Sequence, residues 1–265
     1  MDKHVFSIDN FNVISDDNYY YFFRALNIGD NIDIENNIIL DENNNIFRIR
    51  TDRERFESTP KYNESSNLTL EEIFDHVKMH HRTDTNCISL TSNANVALMY
   101  GRGIYKDKYV MIKVAKNEIG KEVVDAGFYM LNEINNTINN MINNNELDNN
   151  IINYLSLIEN TTNQEELNKV INYIKINTNS SEVDDSIYEK GIEFTTTNSL
   201  DYMSLNIEQN FSKNKIIAKL DIINKNIIKN VSNKFLIQTI GNAFSSLELT
   251  HYKDINQDKI IELSK

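Results

Sequence analysis

The pattern of apolar and polar positions changes along this chain, and its first half contains several strand patterns. Residues 46–50 alternate apolar and basic side chains, which is typical of a half-buried strand. Residues 87–91 form a second strand pattern. Residues 109–114 are nearly continuously apolar, which predicts a strand in the interior of a sheet. An aromatic run at 19–26 follows three residues suited to capping, so the pattern predicts a helix there.

Two short helices are predicted between these strands. Thr69 and Glu72 have the spacing of a capping box at the start of an amphipathic helix. A second helix is predicted over 94–100, and Gly101 follows it as a C-terminal stop signal.

From about residue 122 to 243 the apolar residues recur every three or four positions. This spacing predicts a mainly helical region, with a loop at 177–198 that holds a short extended piece at 191–194. The predicted helices lie near 122–142, 147–159, 164–176, 213–229 and 233–245. Strand patterns return at 247–251 and 259–263, so the order of elements predicts an α+β fold.

Composition and charge narrow the classes of protein. The 265 residues include one Pro and 7 Gly, which favours long helices over a loop-rich all-β fold. No apolar run can span a bilayer, and the N-terminus lacks the features of a signal peptide. We therefore expect a protein that is cytoplasmic or delivered into a target cell. The formal net charge of −12 argues against a broad basic surface for nucleic acid. Because strand patterns reach the last residues, the chain is also open to interpretation as the N-terminal part of a longer protein.

Two kinds of reactive side chain have ordinary structural explanations. Cys87 lies within an apolar strand pattern, which predicts a buried structural thiol. His76 and His80 are four positions apart on a predicted helix, a spacing that suits a metal site. The sequence offers no evident third ligand and no glutamate in the metalloprotease position between them. We expect no metal, and we expect His76 to pack behind the 87–91 strand.

Three pieces of sequence then occur in an order that resembles the Arg-Ser-Glu branch of the ADP-ribosyltransferases. Arg48 lies on one strand pattern, Ser89-Leu90-Thr91 on a later one, and Glu248 on a strand near the end. The most similar stretch, 76–114, has a His-Val pair, then Ile-Ser-x-Thr-Ser, Val-Ala-x-x-Tyr-Gly and a strand. The stretch from Glu248 onward is similar to the last strands of bacterial members that modify nucleic acid.

The resemblance implies a single ADP-ribosyltransferase-like domain with a split β-sheet core at 46–114 and 244–265. The region at about 122–243 would be a large helical insertion. It implies an enzyme that binds NAD, cleaves its nicotinamide–ribose bond and transfers ADP-ribose to a protein or nucleic acid, as a bacterial toxin or effector. Two alternatives stay open: an NAD glycohydrolase on the same fold, and a non-catalytic interaction module. Neither a membrane partner nor a structural metal is expected.

The resemblance also implies roles for particular residues. Glu248 would stabilise the oxocarbenium-like ribose and activate the acceptor, and Ser89 would position it. The NAD-binding residues would be Arg48, with Arg50 in reserve on the same strand face, together with Ser89, Thr91 and Tyr100. Many protein-modifying members carry Gln or Glu two residues before the catalytic Glu, whereas this chain has Ser246. That departure argues against arginine as the acceptor side chain.

Overall fold

The computed structural model describes residues 13–25, 27–28, 38–40, 46–49, 67–78, 85–100, 102–103, 109–178 and 207–263. The chain divides into two compact units. The first consists of Met1–Tyr129 with Ala243–Lys265, and the second is Met130–Asn242. Among the residues just given, no helix is both long enough and apolar enough to cross a bilayer.

The first unit is built on a seven-stranded sheet. Its strands are β1 (Ile14–Ser15), β2 (Tyr19–Ala25), β6 (Cys87–Thr91), β8 (Tyr109–Ala115), β9 (Val123–Asp125), β10 (Glu248–Tyr252) and β12 (Ile260–Leu263). The spatial order is β12-β8-β2-β6-β10-β9, and β1 pairs with β2. All of these pairings are antiparallel.

Two smaller sheets and seven described helices complete the mixed α/β architecture. β4 (Ile38–Leu40), β5 (Ile46–Ile49) and β11 (Ile255–Asn256) form a three-stranded sheet, and β3 (Asn27–Ile28) pairs in parallel with β7 (Arg102–Gly103). The helices are α1 (Leu70–Val77), α2 (Ala94–Tyr100), α3 (Ala126–Asn143), α4 (Asn149–Asn160), α5 (Gln164–Thr178), α6 (Ile207–Ile222) and α7 (Asn233–Ser245). This arrangement confirms the α+β class at the level of a mainly antiparallel sheet with helices.

One face of the large sheet forms the apolar core of the first unit. Val110, Ile112 and Val114 alternate along β8 with half-buried residues, and all three are fully buried. Ile49 and Ile255, from the three-stranded sheet, belong to the same buried cluster. The small sheet therefore packs against this face, and burial of these aliphatic side chains is the main force that holds the two sheets together. The predicted interior position of the 109–114 strand is confirmed, because β8 lies between β12 and β2.

The helix predicted at 19–26 is wrong: Tyr19–Ala25 is strand β2. Asp16 does cap this segment, since its carboxylate accepts hydrogen bonds from the backbone of Asn18 and Tyr19, but it caps a turn that leads into a strand. Strand β2 pairs with β8 along its whole length and with β6 near its end. A short run of consecutive apolar residues fits a buried strand and a buried helix equally, so periodicity alone cannot tell the two apart. Tyrosine and phenylalanine also fit a sheet better than a helix.

The predicted capping box of Thr69 and Glu72 is confirmed in part. Thr69 caps α1 by accepting a hydrogen bond from the Glu72 backbone at 3.2 Å. The Glu72 side chain instead reaches Asn86, whose backbone and side-chain nitrogens donate to Oε1 at 2.8 and 3.1 Å. Glu72 is fully buried, so its carboxylate connects α1 to the start of β6. That connection fixes the position of α1 beside β6.

Two helices of the helical region also differ from the prediction. Residues 123–125 form strand β9, and helix α3 begins only at Ala126. Helix α6 runs over Ile207–Ile222, whereas the predicted helix was 213–229. The other helices lie close to their predicted positions. Residues 191–194 fall outside the described residues.

The second unit has its own apolar cluster. Ile158 of α4, Leu167 and Ile174 of α5, and Ala218 of α6 are buried together. These residues follow the three- and four-residue spacing of amphipathic helices, so this cluster is the kind of core that the sequence pattern predicts.

His251 makes the stability of the first unit depend on pH. This residue of β10 is 1% exposed, and its Nδ1 donates to the Lys253 carbonyl at 3.0 Å. Burial, with a contribution from the nearby Lys259 charge, lowers the pKa of His251 to about 4. Because the folded pKa lies below the unfolded value, the stabilising contribution is complete above about pH 6.5 and is lost as the pH falls toward 4.

We therefore expect the protonation of His251 to lower the free energy of unfolding by about 3 kcal/mol between pH 7 and pH 4. His251→Asn keeps a donor for the Lys253 carbonyl but cannot take up a proton. Urea unfolding at pH 7, 5.5 and 4 should show a smaller loss for the variant than for the wild type. Equal losses in the two proteins would contradict this assignment.

Candidate functional site

The site is built on the neighbouring antiparallel strands β6 and β10, which lie between β2 and β9 in the large sheet. Glu248 lies opposite Thr91, and Thr250 lies opposite Ser89. Directly opposed residues of an antiparallel pair project from the same face. We call these four residues the Glu248 cluster. Their face is opposite to that of Leu90 and Leu249, which point into the apolar core.

Helix α1 places a histidine against this cluster. His76 Nε2 lies 3.0 Å from the Ser89 hydroxyl oxygen and 3.7 Å from Glu248 Oε1. His76 Nδ1 lies 3.2 Å from the Thr85 hydroxyl oxygen. When Thr85 donates to Nδ1, the ring carries its proton on Nε2, which donates to the Ser89 hydroxyl oxygen and lies near Glu248. The imidazole is 6% exposed, so both contacts are shielded from solvent. The prediction that His76 packs against the Ser-x-Thr strand is confirmed.

The arrangement of these groups does not fit a serine-hydrolase relay. Such a relay needs the nucleophile on one ring nitrogen of the histidine and a carboxylate on the other. Here Ser89 and Glu248 both approach Nε2, and Nδ1 faces the hydroxyl of Thr85. The histidine is therefore suited to orienting Ser89 and Glu248 and not to activating Ser89 as a nucleophile.

An arginine also reaches the site, and it comes from strand β2. Arg24 donates a hydrogen bond from Nη1 to the Ser89 carbonyl oxygen at 2.5 Å. Strand β2 meets β6 at a single register pair, Phe23 with Thr91, and Thr91 in turn pairs with Glu248. The bond ties the end of β2 to the backbone of β6. In the register Arg24 is opposite Val110 of the apolar face, whereas Ser89, Thr91 and Glu248 share the other face.

Asp125 of β9 is a second carboxyl group, opposite Leu249 in the register and near enough to Glu248 for their charges to interact. It ends β9 and caps α3 by accepting hydrogen bonds from the backbone of Phe128, at 2.9 Å, and Gly127. Burial raises the pKa of Asp125 to about 7, and the negative charge of Glu248 contributes to the increase. Since the folded pKa is above the unfolded one, the stabilisation from Asp125 is lost as the pH rises from about 4 through 7. This pH dependence is opposite in sign to that of His251.

The family resemblance implies the arginine role for Arg48, and the structure offers Arg24 as well. Arg48 lies on β5 of the three-stranded sheet, where it pairs with Ile39 and Asn256. Arg24 belongs to the same sheet as Ser89 and Glu248. Arg24 was not among the predicted site residues, because its segment was predicted to be a helix. The strand propensity of Tyr19-Tyr20-Tyr21-Phe22-Phe23 was the signal that could have revealed it.

The structure describes some of the other predicted site residues and not others. Ser89, Thr91 and Glu248 lie together as described above. Thr91 Oγ1 also accepts a hydrogen bond from the Asn93 backbone at 3.3 Å, just before α2. Tyr100 is the last residue of α2, but its side chain, like Arg50 and His80, lies outside the described residues. Cys87 is a free, fully buried thiol, which confirms its structural assignment.

The described part of the chain contains no group of three or more His, Cys, Asp or Glu side chains arranged to hold a metal ion. No protein-family model, curated protein or solved structure matches this chain.

Proposed function

We propose that this protein is an NAD-dependent mono-ADP-ribosyltransferase that cleaves the nicotinamide–ribose bond at the Glu248 cluster. The observation that carries the proposal is the placement of Ser89 and Glu248 on one face of two adjacent strands, with His76 against both. An arginine, this serine and this glutamate also occur along the chain in the order that defines the Arg-Ser-Glu branch of the family.

The chemistry of the cleavage suits this set of groups. Loss of nicotinamide leaves a ribose with oxocarbenium character, as in glycoside hydrolysis. A fixed carboxylate stabilises that developing positive charge best when water is largely excluded. The Glu248 side chain is 14% exposed, so it is shielded from bulk water while part of it stays accessible. The hydroxyl of Ser89, held by His76, would fix the ribose and the carboxylate relative to each other.

The arginine role goes to Arg24 in this proposal. A guanidinium presents a planar, permanently charged fork that suits the pyrophosphate of NAD. The hydrogen bond to the Ser89 carbonyl uses one Nη1 donor and fixes the guanidinium beside β6. A guanidinium carries five N–H donors, so one side chain can serve both a carbonyl and a phosphate. Arg48 remains the competing assignment.

An NAD glycohydrolase is the second candidate, and Ser246 favours it. The Ser246 hydroxyl donates to the Ala243 carbonyl at 3.3 Å, at the C-terminal end of α7. It therefore caps helical backbone where many protein-modifying relatives carry a second acidic or amide side chain for the acceptor. Water needs no such recognition group and would serve as the acceptor.

Nicotinamide release from NAD by the purified chain tests the proposal. Release without any added acceptor indicates glycohydrolase activity. Transfer of labelled ADP-ribose to added protein or nucleic acid, faster than the acceptor-free reaction, indicates a transferase. We expect release in at least one of these conditions. A folded protein that neither releases nicotinamide nor binds NAD in calorimetry would contradict both enzymes and favour the interaction module.

A further inference from the structure

Two buried oxygen atoms on the same strand carry an inference about how Glu248 is positioned, and it rests on the proposed function. Glu248 Oε1 and Thr250 Oγ1 are both inaccessible to solvent, and neither has a hydrogen-bond partner among the described residues. Thr250 is fully buried. A buried polar atom without a partner is destabilising, and folded proteins keep few of them. Two such atoms so close together in the sequence require a common explanation.

The register shows that the two side chains share one face. Glu248 and Thr250 are two positions apart on β10, which is about 6.7 Å along an extended strand. Thr250 is opposite Ser89 on one side and Val124 on the other, so it is enclosed by both neighbouring strands. The Ser89 and Thr91 hydroxyls each make a hydrogen bond, with His76 and with the Asn93 backbone. The Thr250 hydroxyl is the one in the cluster without a partner among the described residues.

A direct hydrogen bond would satisfy both oxygens, but no such bond joins them. A single water, at about 2.8 Å from each oxygen, joins two atoms up to about 5.6 Å apart. The Thr250 hydroxyl donates to the water, and the water donates to Oε1, so the donors and acceptors match.

We propose that Thr250 is a positioning residue that holds the Glu248 carboxylate through one ordered, buried water. Fixed at Oε1, the carboxylate keeps one orientation and presents its other oxygen to the ribose. The His76 imidazole, 3.7 Å from Oε1, limits the same rotation from the helix side. The threonine hydroxyl is then kept in the centre of the sheet for its effect on Glu248, because valine would fill the same volume without a polar atom.

Thr250→Val and Thr250→Ser test this proposal. Valine keeps the shape and removes the hydroxyl, whereas serine keeps the hydroxyl. We expect Thr250→Val to lower kcat for nicotinamide release about tenfold or more, with KM for NAD within about twofold, because the reacting group is misplaced while NAD still binds. Thr250→Ser should stay within about threefold of the wild type. Equal turnover by the wild type and the valine variant would overturn the proposal.

A thermal measurement separates failure of this proposal from failure of the proposed function. If the hydroxyl is bound through water, Thr250→Val leaves Glu248 Oε1 without its partner and lowers Tm by about 2–4 °C. If the hydroxyl is merely an unsatisfied atom in a dry core, valine raises Tm, and the positioning role is overturned. This result holds whether or not the wild-type protein cleaves NAD. A wild type without nicotinamide release, combined with a lower Tm for the valine variant, would reject the enzyme and retain the Thr250–Glu248 link.

Discussion

Glu248→Gln is expected to lower NAD turnover by at least roughly a hundredfold, the scale lost when one fixed electrostatic group is removed from a site. Glutamine keeps the size and the hydrogen-bonding oxygen of the side chain but removes its negative charge. That charge would stabilise the oxocarbenium-like ribose and would help to deprotonate the acceptor. The measurement is kcat for nicotinamide release by the purified wild type and variant.

The control for this experiment is Glu165→Gln. Glu165 lies on α5, its side chain is 80% exposed, and within the described part of the chain it forms an ion pair with Lys169 in the next turn. Exposed pairs of this kind contribute little to stability, so this variant should turn over NAD like the wild type. Equal turnover by Glu248→Gln and Glu165→Gln, with both proteins folded by circular dichroism, would remove Glu248 from the site.

Arg24→Lys is expected to lower kcat/KM for NAD by about 10- to 150-fold, which corresponds to the roughly 1.5–3 kcal/mol of a hydrogen bond to a charged group. Lysine keeps the positive charge but loses the planar fork, so it holds the Ser89 carbonyl and a phosphate in a poorer geometry. The effect should appear in KM as well as in kcat, since the arginine would contact NAD in the ground state.

Arg48→Lys is the matched variant, because it makes the same change in the competing candidate. We expect it to stay within about threefold of the wild type, since β5 belongs to the three-stranded sheet and not to the sheet of Ser89 and Glu248. A large loss for Arg48→Lys with no loss for Arg24→Lys would reverse the assignment in favour of the sequence-based one. Losses in both would place both arginines on NAD.

The opposite pH dependences of His251 and Asp125 also affect these assays. Burial disfavours the charged form of each group, so the folded state keeps the histidine neutral and favours the protonated carboxyl. Stability from His251 falls below about pH 6.5, and stability from Asp125 falls as the pH rises toward 7. Variants should therefore be compared at one pH, with Tm measured in the same buffer.

The sequence by itself determined most of the local structure in this protein. The Ser89–Thr91 strand, helix α2, strand β8 and the two strands that carry Glu248 and Ile260 follow from short-range patterns. Thr69 capped its helix as predicted, and Cys87 is buried as predicted. These features depend on neighbours within a few positions, where capping, alternation and propensity act directly. The order of strands and helices also sufficed for the α+β class.

Only the tertiary structure decided how distant segments meet. Tyr19–Ala25 is a strand because β8 and β6 bond to both of its edges, and no local pattern contains those partners. The same pairing brings Arg24 to Ser89, whose positions are 65 residues apart. The Glu72 side chain bonds Asn86 and not the end of its own helix, because the two residues are buried next to each other in the folded chain. Strand pairing, burial and the hydrogen-bond partner of each polar atom depend on residues far apart in the sequence. Sequence spacing therefore indicates the kind of chemistry, and the packing determines which residues can take part in it.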